Sequence, residues 1–289
     1  MSAMNRKMKS ATFIKNFESV FKCPICNSAM HVVDLKSLVC EKMHTFDFAK
    51  QGYVNLMTKQ LNTKYGKDLF DARRSLLSET DFFTPLIKGI IEIINREEKH
   101  QLNILDTGCG EGSHLDAICK QVGVGLGAGI DIAKEGILIA AKNYSDKIWA
   151  VADLANIPFK DHQYDIILNI LSPANNKEFN RLLKDDGLVI KVVPGEGYLK
   201  ELREAYFAEP KKQAYSNRET VERFTESFAL VSRTSISYTT VLDHESIQSF
   251  VNMTPLTWSA EDARVAAFLK KQSAEITVDL EVLVGRKIV

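Results

Sequence analysis

The spacing of apolar residues along the chain predicts strands and helices that alternate over most of its length. Short apolar runs predict strands at 103–106, 125–131, 147–153, 164–170 and 187–194. Apolar residues three or four positions apart predict helices at 68–79, 82–95, 113–122, 134–144 and 198–207. Two longer runs, 228–242 and 276–289, predict late antiparallel strands. This order indicates an α/β fold with a Rossmann-like, doubly wound sheet.

The segment before these elements carries a set of potential metal ligands instead. Cys23, Cys26, Cys40 and His44 have the spacing C-x2-C-x13-C-x3-H. Three thiolates and one imidazole are ligands that Zn²⁺ prefers, and four protein ligands are typical of a structural site. Alternating apolar residues before Cys40 predict a hairpin, and His31 is expected to be an exposed strand residue. The alternative is a redox-active cysteine pair, but such a pair normally opens a helix after a strand.

A glycine-rich turn follows the first predicted strand of the α/β region. Asp106 ends the strand, and Gly108, Gly110, Glu111 and Gly112 form the turn before a helix. Glycines permit a tight turn and close approach of the backbone to a ligand. The spacing G-x-G-x-G differs from the dinucleotide fingerprint G-x-G-x-x-G. The acid before the turn favours a ligand with a cationic portion, such as the methionine ammonium of S-adenosylmethionine (SAM).

Two further acids follow the next predicted strands. Asp131 lies 25 residues after Asp106, where an acid typically binds ribose hydroxyls. Asp153 ends the next strand, where an acid commonly meets the adenine amino group, and Ile132 and Leu154 are candidates to pack on the ring. The combined pattern favours SAM over NAD or no cofactor. His114 is expected to be an ordinary helix residue.

Composition and charge narrow the functional class. The chain has 289 residues, no apolar run long enough for a membrane span, no secretory signal and five cysteines, which favours a reduced cytoplasmic protein. The formal net charge is zero, but residues 1–74 carry +7 and the remainder −7. This asymmetry predicts a basic arm that recognises nucleic acid, although zinc modules can also be basic for solubility. The candidate phosphate contacts are Lys36, Lys42, Lys50, Lys59, Lys64, Lys67, Arg73 and Arg74. Of Arg73 and Arg74, one could face an acidic neighbour instead.

Together these motifs resemble the RlmA family of 23S rRNA guanine-N1 methyltransferases, which includes tylosin-resistance methylases. The resemblance begins near residue 20 and reaches the C-terminus. Its motifs are CPIC, C-x3-H followed by FD, AKQGYVNLM, DARR, LDTGCGEG, GIDIAK, LSPANN and MTPLTW. The family more often has isoleucine at the position of Thr107.

The resemblance implies a small N-terminal zinc-binding domain joined to a class I SAM methyltransferase domain, usually in a homodimer. The implied reaction methylates N1 of a guanine in a 23S rRNA hairpin. By family position, Trp258 and the turn 253–255 could stack on the base, although core packing is an equal alternative. Asn169, Ser172 and Pro173 lie at the sheet edge where an acceptor would bind. Tyr53 and Phe46 could stack on RNA, but we expect them to fill the small core.

These observations predict a domain plan and leave alternatives open. The expected parts are a basic extension over 1–19, a zinc-binding RNA-recognition domain over 20–60, a linker over 61–68 and the methyltransferase domain over 69–289. We expect loss of a zinc ligand, as in Cys40→Ser, to unfold the zinc domain and lower RNA affinity while SAM binding persists. Membrane and DNA partners are not expected. The alternatives are a methyltransferase that acts on tRNA or a small molecule, and a non-catalytic RNA-binding module.

Overall fold

The fold is described here from a computed structural model, which covers residues 5–59, 63–209 and 213–288. Its helices are α1 (Arg6–Lys15), α2 (Lys67–Glu79), α3 (Thr84–Asn95), α4 (Ser113–Cys119), α5 (Lys134–Asn143), α6 (Asn176–Leu182), α7 (Lys200–Tyr206), α8 (Arg218–Ser227), α9 (His244–Met253) and α10 (Asp262–Leu269). Short 3-10 helices span Glu18–Val20 and Pro255–Ser259. None of the helices in the described ranges has both the length and the apolar character needed to cross a bilayer.

Two sheets contain the strands. Antiparallel strands β1 (Met30–Val33), β2 (Ser37–Cys40) and β3 (Thr45–Asp47) form a small sheet near the N-terminus. The large sheet contains β4 (Val54–Asn55), β5 (Leu102–Thr107), β6 (Val124–Asp131), β7 (Ile148–Val151), β8 (Tyr164–Ile170), β9 (Leu183–Pro194), β10 (Phe228–Asp243) and β11 (Ser273–Lys287). Its order is β10-β11-β9-β8-β5-β6-β7-β4.

The large sheet confirms the predicted α/β, Rossmann-like class. Strands β4 to β9 pair in parallel, and β10 and β11 add an antiparallel hairpin beside β9. The chain runs outward from β5 to β6 and β7, then returns to β8 on the other side of β5. Ligands bind at such a reversal of strand order, at the carboxyl ends of the strands.

Helix ends follow from local sequence. Asn5 caps α1, because its side-chain oxygen accepts a hydrogen bond from the Met8 N–H at 3.0 Å. Pro85 lies in the first turn of α3, where its missing N–H is not needed. Asp243 ends β10 and caps α9 by accepting from the Ser246 N–H at 2.9 Å.

The zinc-ligand segment is part of the large sheet's core. Strand β4 pairs in parallel with β7, with Val54 opposite Ala150, and the Leu56 N–H donates to the Val151 carbonyl at 2.9 Å. Phe21 and Phe159 form an isolated bridge, with ring centroids 5.2 Å apart. One hydrophobic cluster joins both segments; its members include Ile14, Phe21, Leu38, Phe48, Leu105, Ile130, Phe159 and Val189.

These contacts show that the predicted zinc-binding segment and the predicted methyltransferase segment pack against each other. Helix α1 lies within the predicted 1–19 extension, yet its Ala11 and Ile14 are fully buried in the shared cluster. Within the predicted linker 61–68, residues 61–62 lie outside the described residues, and Lys67 and Asp68 already belong to α2. The predicted boundaries remain predictions, but the two segments are joined by backbone hydrogen bonds and a common core.

Candidate functional site

Cys23, Cys26, Cys40 and His44 converge in the structure. Their ligand atoms all lie within 4.8 Å of one another. The Cys26 Sγ–Cys40 Sγ distance is 3.7 Å, and the His44 Nδ1 atom lies 3.5 Å from Cys23 Sγ and 3.4 Å from Cys40 Sγ. Bonds of about 2.3 Å to sulfur and about 2.0 Å to nitrogen produce edges of this length in a tetrahedron. The donor set therefore fits a structural Zn²⁺ ion.

Two turns hold these ligands. The Cys23 carbonyl accepts from the Asn27 N–H at 2.8 Å, and Asn27 has a positive φ of 60° that closes the first turn. Cys40 ends β2, and the His44 N–H donates to Cys40 Sγ at 3.3 Å. His31 is exposed and its Nδ1 lies 3.2 Å from Glu18 Oε1, so it is not part of the cluster.

The glycine turn lies at the carboxyl end of β5, at the reversal of strand order. Gly108, Gly110 and Gly112 all have positive φ values, from 56° to 85°. A Cβ atom at Gly108 would collide with the Ser172 side chain, and one at Gly112 would lie 2.6 Å from a ring carbon of Trp149. The turn therefore requires glycine both for its conformation and for close packing.

Three acids surround this turn. Asp106 and Glu111 are buried, and the Asp131 Oδ2 atom accepts from the Gly110 N–H at 2.8 Å. Burial raises the pKa of Asp106 to about 7; Arg73 opposes this shift, and Asp131 and Glu111 add to it. The Asp106 Oδ1 atom is buried and has no hydrogen-bond partner among the described residues. An unpartnered buried carboxylate oxygen fits the ammonium of SAM.

The adenosine end of a cofactor would lie beyond Asp131. The Asp131 Oδ1 atom accepts from the Ala133 N–H at 2.8 Å, and Asp153 Oδ1 accepts from the Ala155 N–H at 2.8 Å. Carboxylates have further lone pairs, so both acids can still accept from a ligand. A cavity of about 800 Å³ opens beside Ile132; its lining includes Asn55, Met57, Tyr65, Lys67 and Val151. A second, of about 490 Å³, lies between Leu154 and the loop that contains Pro173.

Arg73 is placed differently from the prediction of a phosphate contact. Its guanidinium points inward from α2: Nε lies 3.2 Å from Glu111 Oε1, and Nη2 lies 3.3 Å from His114 Nδ1. Arg74, the next residue, is exposed. Arg73 is therefore the arginine of this pair that faces an acidic neighbour. Arg74 points away from it, because successive helix residues point about 100° apart. His114, expected to be an ordinary helix residue, is buried against Phe83.

Two buried polar side chains, Asn169 and Lys191, hold the loop that contains Ser172 and Pro173, where an acceptor is expected to bind. Asn169 is fully buried, and its Nδ2 donates to the Thr107 carbonyl at 3.0 Å and the Pro173 carbonyl at 2.9 Å. Lys191 Nζ donates to Asn169 Oδ1 at 2.5 Å and to the Ser172 carbonyl at 3.2 Å. Burial lowers the pKa of Lys191 to about 8. Asn169 therefore lies beneath the loop, whereas Ser172 and the exposed Pro173 form its surface.

Aromatic and basic side chains flank the mouth of the site. Trp258 is 45% exposed, its ring lies 5.2 Å from that of Tyr65, and Lys64 Nζ lies 5.9 Å from its centroid. This exposure disfavours the core-packing alternative for Trp258. Lys50, Lys64 and Lys67 are exposed, and Lys67 pairs with Asp71 at 2.9 Å. Tyr53 is buried and Phe46 is half-buried, in agreement with a core role.

Known proteins with similar sequences share both parts of this arrangement. Family models match the N-terminal RlmA zinc ribbon at residues 21–63 and a methyltransferase domain at residues 104–187. A Bacillus subtilis protein named "Putative 23S rRNA (guanine-N(1)-)-methyltransferase YxjB" is 47% identical over 93% of this chain and 98% of its own length. The chain belongs to the RlmA family.

More distant relatives agree with this assignment. The 23S rRNA (guanine(748)-N(1))-methyltransferase of Streptomyces fradiae is 28% identical over 87% of this chain and 90% of its own length. A chain of the solved complex between the Haloferax volcanii Trm112 methyltransferase activator and a methyltransferase has a TM-score of 0.51 at 19% identity. The superposition covers 79% of the present chain and the full length of the solved one. This similarity supports the fold alone. SAM and structural zinc are therefore the cofactors of this RlmA-family enzyme.

Three residues of the site were not predicted as functional residues from the sequence, although two of them, Lys191 and His114, had a signal there. Lys191 interrupts an otherwise apolar strand, and a lysine on a buried strand usually has a specific partner. His114 follows the glycine turn in the first helical turn, close to any bound ligand. Tyr65 stands within the predicted linker, and only the fold brings it to Trp258.

Proposed function

We propose that this chain transfers the methyl group of SAM to N1 of a guanine in a hairpin of 23S rRNA. The names of the Bacillus subtilis and Streptomyces fradiae relatives, both 23S rRNA guanine-N1 methyltransferases by name, support the acceptor. The observation that carries the proposal is the pairing of β4 with β7, which connects a zinc-bearing, basic segment to the cofactor sheet. A small-molecule methyltransferase has no need of this basic segment at the mouth of its site.

The cofactor site has a defined set of tasks. SAM supplies an activated methyl group on a sulfonium, and N1 of guanine displaces the thioether while losing its proton. Asp131 and Asp153 are positioned to orient the adenosine, and Asp106 to bind the ammonium. Fixing the donor and acceptor in line supplies most of the acceleration in such a transfer.

The acceptor side must present an unpaired base. N1 lies on the Watson–Crick edge, so the guanine has to be in a loop or flipped out of a helix. Trp258 and Tyr65 are exposed aromatic rings beside the cofactor site and can stack on it. Ser172 and Pro173 form the loop nearest the glycine turn, and Lys191 and Asn169 hold that loop in place.

The direct test uses purified protein, methyl-labelled SAM and unmodified 23S rRNA, with nucleosides separated by mass spectrometry. We expect labelled 1-methylguanosine. Trp258→Ala should lower the rate about 10-fold or more if it stacks on the base, at about 1–3 kcal/mol per stacked base. Label in tRNA alone, or transfer to a small molecule without RNA, would reject the proposed acceptor.

Phosphate contacts can be tested separately through salt dependence. Arg74→Gln should weaken 23S rRNA binding and reduce the slope of log affinity against log salt by about 1. Arg218→Gln, at an arginine on α8 whose side chain is 84% exposed, is the matched control and should leave the slope unchanged if the RNA path follows the N-terminal segment. An equal change in both variants would move the RNA path elsewhere. Lys50, Lys64 and Lys67 are further candidates for the same measurement.

Two properties complete the proposal. The family resemblance implies a homodimer, which light scattering on the purified chain will test. Action on ribosomal RNA would place the enzyme in the cytoplasm.

A further inference from the structure

The position of Arg73 has no explanation in RNA binding. Its side chain is only 22% exposed and lies over the glycine turn, where a Cβ atom built on Gly110 would be 3.9 Å from Nη1. Nε faces Glu111 and Nη2 faces His114. Within the described ranges Nη1 makes no hydrogen bond, and Nε has an ionic neighbour but no well-aligned hydrogen bond. The guanidinium therefore has free donors next to the cofactor turn.

The negative charges at the glycine turn indicate which group of SAM the free donors of Arg73 would bind. The amino-acid portion of SAM has an ammonium and a carboxylate. Asp106, Glu111 and Asp131 suit the ammonium but repel the carboxylate. Arg73 is close enough to oppose, by its charge, the burial-driven rise in the pKa values of both Asp106 and Asp131. A carboxylate among three acids needs such a cation.

The start of helix α4 is disfavoured for this role, because a carboxylate of the chain already lies there. The Glu111 Oε2 atom accepts from the Ser113 N–H at 2.9 Å and also from the Ser113 hydroxyl. Glu111 therefore occupies the first N–H of α4 with its own carboxylate and places a negative charge beside the start of the helix. Its other oxygen, Oε1, lies 3.2 Å from Arg73 Nε, so the same carboxylate also orients the guanidinium.

His114 completes the support of the guanidinium. Burial, and then the charge of Arg73, lower the pKa of His114, so the ring is neutral at neutral pH. A neutral ring can accept a hydrogen bond at Nδ1 from Arg73 Nη2. We propose that Arg73 binds the methionine carboxylate of SAM and that Glu111 and His114 are positioning residues that hold its guanidinium over the glycine turn.

The proposal deepens the cofactor site and rests on SAM binding, not on the identity of the RNA. Calorimetry compares S-adenosylhomocysteine with its decarboxylated analogue, which keeps the ammonium and lacks the carboxylate. The wild type should bind the analogue about 10- to 100-fold more weakly, as expected for charged hydrogen bonds. Arg73→Gln should lose a similar factor for S-adenosylhomocysteine and none for the analogue. Arg218→Gln, at the exposed arginine on α8, should bind both ligands as the wild type does.

The outcomes separate binding from structural support. Equal losses for both ligands in Arg73→Gln would assign Arg73 to support of the turn and overturn the proposal, as would unchanged binding of both. If Arg73→Gln does not fold, Arg73→Lys and the wild-type comparison decide: no preference of the wild type for the carboxylate overturns the proposal. Absence of rRNA methylation with this preference intact would reject the proposed acceptor and leave the role of Arg73 standing.

Discussion

At the scale of single residues, the site is organised by buried charge. Asp106, Glu111 and Arg73 lie within one small region, and Arg73 comes from α2 whereas the two acids belong to β5 and the glycine turn. The metal ligands Cys23, Cys26, Cys40 and His44 could be predicted from sequence because they are close together along the chain and have a spacing typical of zinc sites. The inward direction of Arg73 could not, because it depends on where α2 packs relative to the glycine turn.

Asp106 leads to a prediction about pH. Its carboxyl has a pKa of about 7 before ligand binding, and an ammonium beside it favours the ionised form, so ligand binding expels the proton. Affinity for S-adenosylhomocysteine should therefore rise between pH 6 and 8, with the dependence approaching tenfold per pH unit below pH 7. Calorimetry at several pH values measures the slope. Asp106→Asn is the control, and an equally steep slope in that variant would assign the titration to another group.

At the scale of elements, local pattern and long-range pairing differ in how well sequence predicts them. The alternating strands and helices of the α/β region were confirmed, as was the late hairpin of β10 and β11, because each has enough residues to display a period. Strand β4 has two residues and no period of its own. Its pairing with β7, nearly a hundred positions later, follows from tertiary packing and could not be predicted.

The contact between Phe21 and Phe159 provides an element-scale test. Both rings are fully buried, so Phe159→Ala should cost about 3–5 kcal/mol of stability. Because the shared cluster includes Cys23 and Cys40, the substitution should also speed the release of zinc to a chromogenic chelator. Phe268→Ala is the matched control: the same truncation of a buried ring in the cluster on the other side of the sheet. Equal release rates in both variants would show that zinc binding is independent of the sheet.

At the scale of the whole molecule, the zinc segment and the sheet share one hydrophobic core and one set of backbone hydrogen bonds. The cofactor-side cavity is lined both by Asn55 and Met57, next to β4, and by Ile132 and Val151 of the sheet region. The expectation that cofactor binding persists without an intact zinc site therefore changes. Loss of the metal should weaken the binding of S-adenosylhomocysteine as well as that of RNA.

Cys40→Ser tests this coupling. Structural zinc contributes several kcal/mol to folding, and each kcal/mol moves the melting temperature by about 2–4 °C in a chain of this size, so a fall of about 10 °C or more is expected. Calorimetry should record one transition, and affinity for S-adenosylhomocysteine should fall with it. Cys119→Ser, at a half-buried thiol outside the cluster, should change neither. Two separate transitions in Cys40→Ser would restore the view of independent domains.

The pairing of β4 also determines what the sheet presents to its surroundings. Strand β7 has neighbours on both sides only while β4 is in place. If metal loss detaches the segment that carries β4, the backbone N–H and carbonyl groups of Ile148–Val151 become a bare edge on which a strand from another molecule can add. Zinc occupancy would then govern self-association as well as folding, and metal-depleted protein should aggregate by edge-to-edge strand addition.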